Sequence, residues 1–304
     1  MSRTFKTGMT AIAVAGVMAV APALAGASSA APAAASSTSA SAADSTLINA
    51  ARAVAAKLRV VGLAGGGTEL VQFNPLKPGT VSNRVKVTGL TGGDTSLVGI
   101  DYRVQDGSLY GVGNTAASAG VYSINTSTGV ATPVTRLTVA LSGTSFGVDF
   151  NPAANALRVV SDTGQNLRQP FATPGAATVA DGALSYAAPA VATGVNGAAY
   201  TNNDLDANTA TTLFVLDTAL DQIAIQSPAN AGTLAPTGKL GVDAAGVTGF
   251  DIYSVLRNGS SVGSIGLAAV NGSLYEVGLL NGTATRLGTL GAGVTDIAIP
   301  LVQR

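Results

Sequence analysis

Leu97-Val98-Gly99-Ile100-Asp101-Tyr102 returns as Ser145-Phe146-Gly147-Val148-Asp149-Phe150, and on this recurrence the fold turns. A third copy, Val195-Asn196-Gly197-Ala198-Ala199-Tyr200, keeps the glycine and the aromatic but lacks the aspartate. A fourth is Val247-Thr248-Gly249-Phe250-Asp251-Ile252, and a looser fifth is Val294-Thr295-Asp296-Ile297-Ala298-Ile299. The copies start at 97, 145, 195, 247 and 294, a period of about fifty residues. A fixed period of that length is the mark of solenoids, propellers and arrays.

Working outward from each copy, the chain reads as short strands. Ser108–Val112, Gly120–Ile124 and Val130–Leu137 follow the first copy; Ser264–Val270, Ser273–Leu280 and Thr283–Leu287 follow the fourth. Asn271-Gly272 and Asn281-Gly282 separate the latter three, and Asp106-Gly107 plays the same part in the first unit. Asn-Gly between apolar runs is the strongest short hairpin signal, because a type I′ turn needs positive φ at both central residues. Helical periodicity is nearly absent after residue 60; one short amphipathic helix is expected within 45–58.

Four short antiparallel strands per fifty residues describe propeller blades. The ends of the chain fix the count. The fifth copy stops at Pro300 with no room for further strands, while Leu58–Ala64, Glu69–Phe73 and Val81–Gly89 supply three strands without a first one. Together they make one blade, and closing the ring protects sheet edges that would otherwise invite aggregation. The expected fold is all-β: a five-bladed β-propeller over 45–304 whose C-terminal strand completes the N-terminal blade. A β-sandwich or an open β-solenoid is the alternative on strand spacing alone.

Before this domain lie two segments of another kind. Arg3 and Lys6, the apolar run Met9–Val20 and the small-residue site Ala23-Leu24-Ala25 read as a signal peptide over 1–25. The run is marginal for a bilayer span, so an uncleaved anchor is the weaker reading, and no transmembrane segment is expected in the mature chain. No twin-arginine pair is present, which favours the general secretory route. With no cysteine, an acylated N-terminal Cys and disulfides are both excluded. Residues 26–44 are almost all Ala, Ser, Pro and Thr, the composition of a disordered spacer. The expected location is extracellular or at the cell envelope. After the signal, 14 basic residues face 16 acidic ones, and no block of like charge suits a phosphate backbone, so nucleic acid is not an expected partner.

The stretch Ser145–Pro152 followed by Leu157-Arg158-Val159-Val160-Ser161-Asp162-Thr163-Gly164-Gln165-Asn166-Leu167-Arg168 resembles a secreted bacterial family, domain of unknown function 4394. Leu97–Arg103 with Gly107–Gly111, and Ala199–Asn203 with Thr211–Phe214, look like the same family's neighbouring repeats. The similarity spans roughly 61–299. It implies export and a propeller-like fold, and no mechanism. Asp204-Leu205-Asp206 is more acidic than the resemblance leads one to expect.

The residue menu excludes much chemistry. No histidine exists, so Ser-His-Asp and Cys-His nucleophile systems are impossible, as are zinc sites of the usual His or Cys type. No tryptophan exists, and 7 Tyr and 7 Phe leave few rings for stacking on sugars. Gly65-Gly66-Gly67 lacks the Lys-Ser/Thr of a phosphate loop and reads as a turn. What remains is carboxylates. Asp101, Asp149 and Asp251 share one register position of the first strand, with Asp296 near the equivalent place, and first strands of a propeller line its channel. Clustered oxygens suit a hard cation, and a carboxylate pair suits acid/base work. The plainer reading has each aspartate accepting backbone N–H bonds and fixing its blade, since buried acceptors are normally satisfied locally.

Asp204-x-Asp206-x-Asn208 has the spacing of the first ligands of a calcium loop, but Val215 sits where the terminal Glu belongs. A solvated loop is therefore expected over calcium there, and no cofactor overall. Arg103, with Arg158 and Arg168, is placed on a polar rim together with Asp149 and Asp162. With Asp101, Arg103, Asp149, Asp251 and Asp296 as channel-mouth candidates, the expected function is a non-catalytic secreted propeller with a binding or structural role at the cell exterior, its partner an extracellular protein or envelope glycan; a purely structural envelope protein without a discrete ligand is the further alternative. The rival is a carboxylate-dependent hydrolase of glycans or lactones assisted by calcium.

Overall fold

The computed structural model describes residues 56–206 and 208–301. The expected signal peptide and spacer, and all of the expected helix but Ala56, Lys57 and Leu58, lie outside the described residues; of these three Ala56 and Lys57 are helical and Leu58 is not.

Five four-stranded antiparallel sheets form the molecule. Blade 1 joins β20 (Val294–Ala298) to β1 (Val60–Ala64), β2 (Glu69–Asn74) and β3 (Lys77–Lys86). Blade 2 is β4 (Leu97–Tyr102), β5 (Leu109–Gly113), β6 (Gly120–Ile124) and β7 (Ala131–Arg136). Blade 3 is β8 (Phe146–Asn151), β9 (Ala156–Ser161), β10 (Asn166–Pro170) and the two-residue β11 (Val179–Ala180). Blade 4 is β12 (Val195–Tyr200), β13 (Leu213–Asp217), β14 (Gln222–Gln226) and β15 (Leu234–Lys239). Blade 5 is β16 (Gly249–Arg257), β17 (Ser260–Val270), β18 (Ser273–Val277) and β19 (Ala284–Thr289). The innermost strands touch in ring order, β20 to β4 to β8 to β12 to β16 and back to β20. This is a five-bladed propeller closed by its C-terminal strand, which pairs with β1 through Val61↔Ala298 and Leu63↔Asp296.

The inner strands lack a polar-apolar alternation because each blade is sandwiched between two neighbours. The core is accordingly five wedges, one per blade junction. In β1, Val60 packs toward blade 5 while Val61 and Leu63 pack toward blade 2, and every residue of the strand is buried. Outer strands such as β7 and β19 return to mixed exposure.

The repeated glycine has a packing reason. A Cβ on Gly147 would lie 2.6 Å from the backbone N of Ala198, and one on Gly249 2.6 Å from the Cα of Asp296. Gly99 and Gly197 face the next inner strand in the same way. Side-chain-free positions let neighbouring inner strands approach around the axis.

Turn chemistry is realised unevenly. Asn271-Gly272 has positive φ at both residues, 47° and 70°, as a type I′ hairpin requires. Asn258-Gly259 does the same at 53° and 85°, and lets β16 and β17 run past the blade as a long hairpin. Asn281-Gly282 and Asp106-Gly107 differ from expectation: only the glycine of each is at positive φ, and each lies in a longer connection where a glycine N–H closes back four residues. β3 begins at Lys77, ahead of the expected Val81, because Pro78 and Gly79 are tolerated on an outer strand with bulged pairing to β2.

All five inner strands run toward one end of the ring, called here the upper face.

Candidate functional site

The aspartates of the inner strands meet across the blade junctions. Asp101 accepts the N–H of Phe150 at 2.7 Å, so blade 2 holds blade 3. Asp149 accepts the N–H of Tyr200 at 2.9 Å, so blade 3 holds blade 4. Asp251 accepts the N–H of Ile299 at 2.6 Å, joining blade 5 to blade 1, and also its neighbour Ile252 N–H. Asp296 accepts Ile100 N–H at 2.8 Å, joining blade 1 to blade 2, together with Ile297 N–H. The fixture is therefore each blade's grip on the next rather than on its own turn. Asp296 stands two residues ahead of the common register, at the glycine position of the other copies, and still reaches its neighbour.

The fourth junction lacks this clasp, since blade 4 carries Ala199 at the aspartate position. Asn203 takes its place: its backbone N–H donates to Ser254 Oγ and its amide to the Ile252 carbonyl. Thr248 donates to Asn196 Oδ1 at the same junction.

All four axial carboxyls are buried, Asp149 at 2 % exposure. One oxygen from each of Asp101, Asp149 and Asp251 lies within 4.8 Å of the others. Burial, joined by repulsion from neighbouring aspartates, pushes Asp101 and Asp149 well above the ordinary carboxylate range. Burial raises Asp296 likewise, and brings Asp251 to about 6. All four shift upward, because burial penalises the charged form of each. No Lys or Arg forms an ion pair with any of them among the described residues.

The expected polar rim disperses. Arg103 pairs with Asp106, donates to Asn155 at 2.9 Å and lies over the Phe171 ring, bracing blade 2 against blade 3. Arg158 is fully buried and, with Arg168, converges on Asp181. Asp162 accepts from Thr144. Sequence reading missed Asp181 and Asn230, which also bonds Arg158, because they lie in irregular segments outside the repeat.

Asp204, Asp206 and Asn208 serve the long hairpin. Asp204 accepts Ser261 N–H and Asp206 accepts the Ser260 hydroxyl. Their other oxygens accept the N–H of Asp206 and of Asn208, as successive Asx turns. The acidic tract of blade 4 is thus the anchor of the blade 5 hairpin.

Four clefts of 580 to 720 Å³ are formed by residues at the upper face. The central one, about 580 Å³, is walled by Val104, Leu205, Leu256 and Leu301 from four blades. Leu205 is 67 % exposed. The others lie over blade 2, over blade 1 and between blades 4 and 5. None is lined by Asp101, Asp149, Asp251 or Asp296.

Among solved structures the chain is similar, at 12% identity and a TM-score of 0.43, to one in a nidogen/laminin complex, over 81% of this chain and 99% of that one. It is also similar to a protein from Lactobacillus plantarum (12% identity, TM-score 0.37, 77% and 82% covered) and to a functionally unknown protein from Desulfotomaculum acetoxidans (17%, 0.37, 78% and 67%). No curated protein matches. The family model described as domain of unknown function (DUF4394) matches residues 69–298, from the second strand of blade 1 to the strand that closes the ring, and the chain belongs to that family.

Proposed function

We propose that this protein is a secreted, non-catalytic propeller that binds a partner at the bacterial cell exterior, a protein or an envelope glycan, through its upper face. The observation that carries the reading is the separation of the axial aspartates from the clefts: the clefts open on the upper face, while Asp101, Asp149, Asp251 and Asp296 line none of them and hold blade to blade. A hydrolase would need its acid and base in a concave site reached by substrate. The signal-like N-terminus supports export, and no cofactor enters this reading.

Sedimentation with isolated cell envelopes tests it. Wild-type protein is expected to pellet with envelopes, and Leu205→Asp/Leu256→Asp to lose at least fivefold of that binding while melting as wild type does. Hydrolysis of a glycan or lactone panel, abolished by Asp149→Asn, would instead establish the enzyme.

A further inference from the structure

Leu58 fixes the face of the segment that leads into the propeller. It is 1 % exposed and packs with Val60 and Phe73 in the wedge between blades 5 and 1. Ala56 and Lys57, just before it, are helical and exposed. Counted back from Leu58 at helical spacing, Val54, Ala51 and Leu47 fall on its side, while Asn49, Ala53 and Ala56 fall on the other. The amphipathic helix expected within 45–58 thus turns its apolar stripe toward the propeller. A helix this short is marginal alone in water and forms where its stripe is buried.

The route of entry decides which surface that stripe meets. Asn74 closes β2, one strand farther from the axis than β1. Its amide donates to the carbonyls of Ala56 and Leu58, at 3.0 and 2.9 Å. Two carbonyls held by one side chain bring the chain in over β2 and β3 rather than along β20 and the axis. There it meets a cleft of about 600 Å³, walled on the far side by Lys77, Thr80 and Ser82 and on the near side by the entering residues themselves. Buried Phe73 forms the floor, and Leu76 at the β2–β3 turn stands 41 % exposed beside it. An apolar floor and an exposed leucine lie where a chain arrives with its apolar side turned inward.

We infer that residues 45–55 of the chain itself dock in the blade 1 cleft, with Leu47, Ala51 and Val54 turned onto Phe73 and Leu76, and cap the blade that closes the ring. The inference goes beyond the binding function proposed above and does not depend on it. It withdraws this cleft from outside ligands and leaves a partner the clefts over blade 2, between blades 4 and 5, and at the centre.

The chain has no cysteine, so an introduced pair reports only its own contact. In the chain from Gly26 onward, Ala51→Cys is paired in turn with Thr80→Cys in the cleft and with Leu301→Cys on the axial side of the entry. A tether without a seat samples both sides, whereas a docked segment selects one. Under mild oxidation the Thr80 pair should close within one chain at least about tenfold faster than the Leu301 pair. Leu47→Asp/Val54→Asp should abolish that preference and speed amide exchange of residues 76–82 by roughly tenfold. Asn49→Asp/Ala53→Asp, which adds the same charge to the opposite side, should do neither. Equal closure of the two pairs, faster closure onto Leu301, disulfides between chains instead of within one, or a stripe variant that changes neither readout would each overturn the inference.

Discussion

Asp149 accepts the Tyr200 N–H and at the same time stands beside Asp101 and Asp251, so its role depends on its proton. A folded-state pKa above the unfolded value means that the folded protein holds more protons. The stability from these carboxyls is then fully present below about pH 4 and is lost as pH rises through the raised folded values, about 6 for Asp251. Glu276 follows the same sign: burial lifts it to about 7, and one of its oxygens has no hydrogen-bond partner. Asp149→Asn keeps an acceptor for Tyr200 and removes the charge. It should raise the melting temperature at pH 8.5 by several degrees and leave it nearly unchanged at pH 4.5, as followed by circular dichroism. Asp149→Ala removes the acceptor as well and should cost about 1–3 kcal/mol at pH 4.5, and less at pH 8.5 where it also removes the charge, measured by urea unfolding. Glu276→Gln should stabilise above pH 7 and have little effect below pH 4.5. The repeat revealed where these aspartates sit. It held no information about which backbone they bind, because a period describes one blade and the bond crosses to the next.

Among the elements, the inner strand and the blade 5 hairpin behave differently. The inner strand was legible because its glycine and aspartate are imposed by the axis on nearly every copy. The hairpin, its Asn258-Gly259 turn and its anchor at Asp204 and Asp206 were not, since they break the repeat. Read alone, the acidic tract has the spacing of a calcium loop's first ligands without its terminal Glu and reads as a solvated loop; its partners come from the next blade. Asp204→Ala should release Ser261 N–H, visible as faster hydrogen exchange confined to residues 256–262 with global stability lowered by about 1 kcal/mol. Gly147→Ala puts a methyl against the Ala198 backbone, which cannot step aside, and should cost about 1–3 kcal/mol in urea unfolding.

Across the whole molecule, the missing first strand at one end and the surplus strand at the other made ring closure legible in the sequence alone. Four of the five junctions are clasped by aspartate, and the fifth, between blades 4 and 5, by Asn203 and Thr248. The ring is thus held by groups whose charge it must suppress. Thermal unfolding from pH 4.5 to 9, in EDTA and in millimolar calcium, with wild type and Asp149→Asn side by side, tests this most directly. The melting temperature of wild type should fall as pH rises, Asp149→Asn should flatten that fall, and calcium should shift neither. A wild-type melting temperature that rises with pH, or that calcium raises by several degrees at pH 8 and Asp149→Asn abolishes, would contradict it and turn the axial aspartates into an ionised metal centre.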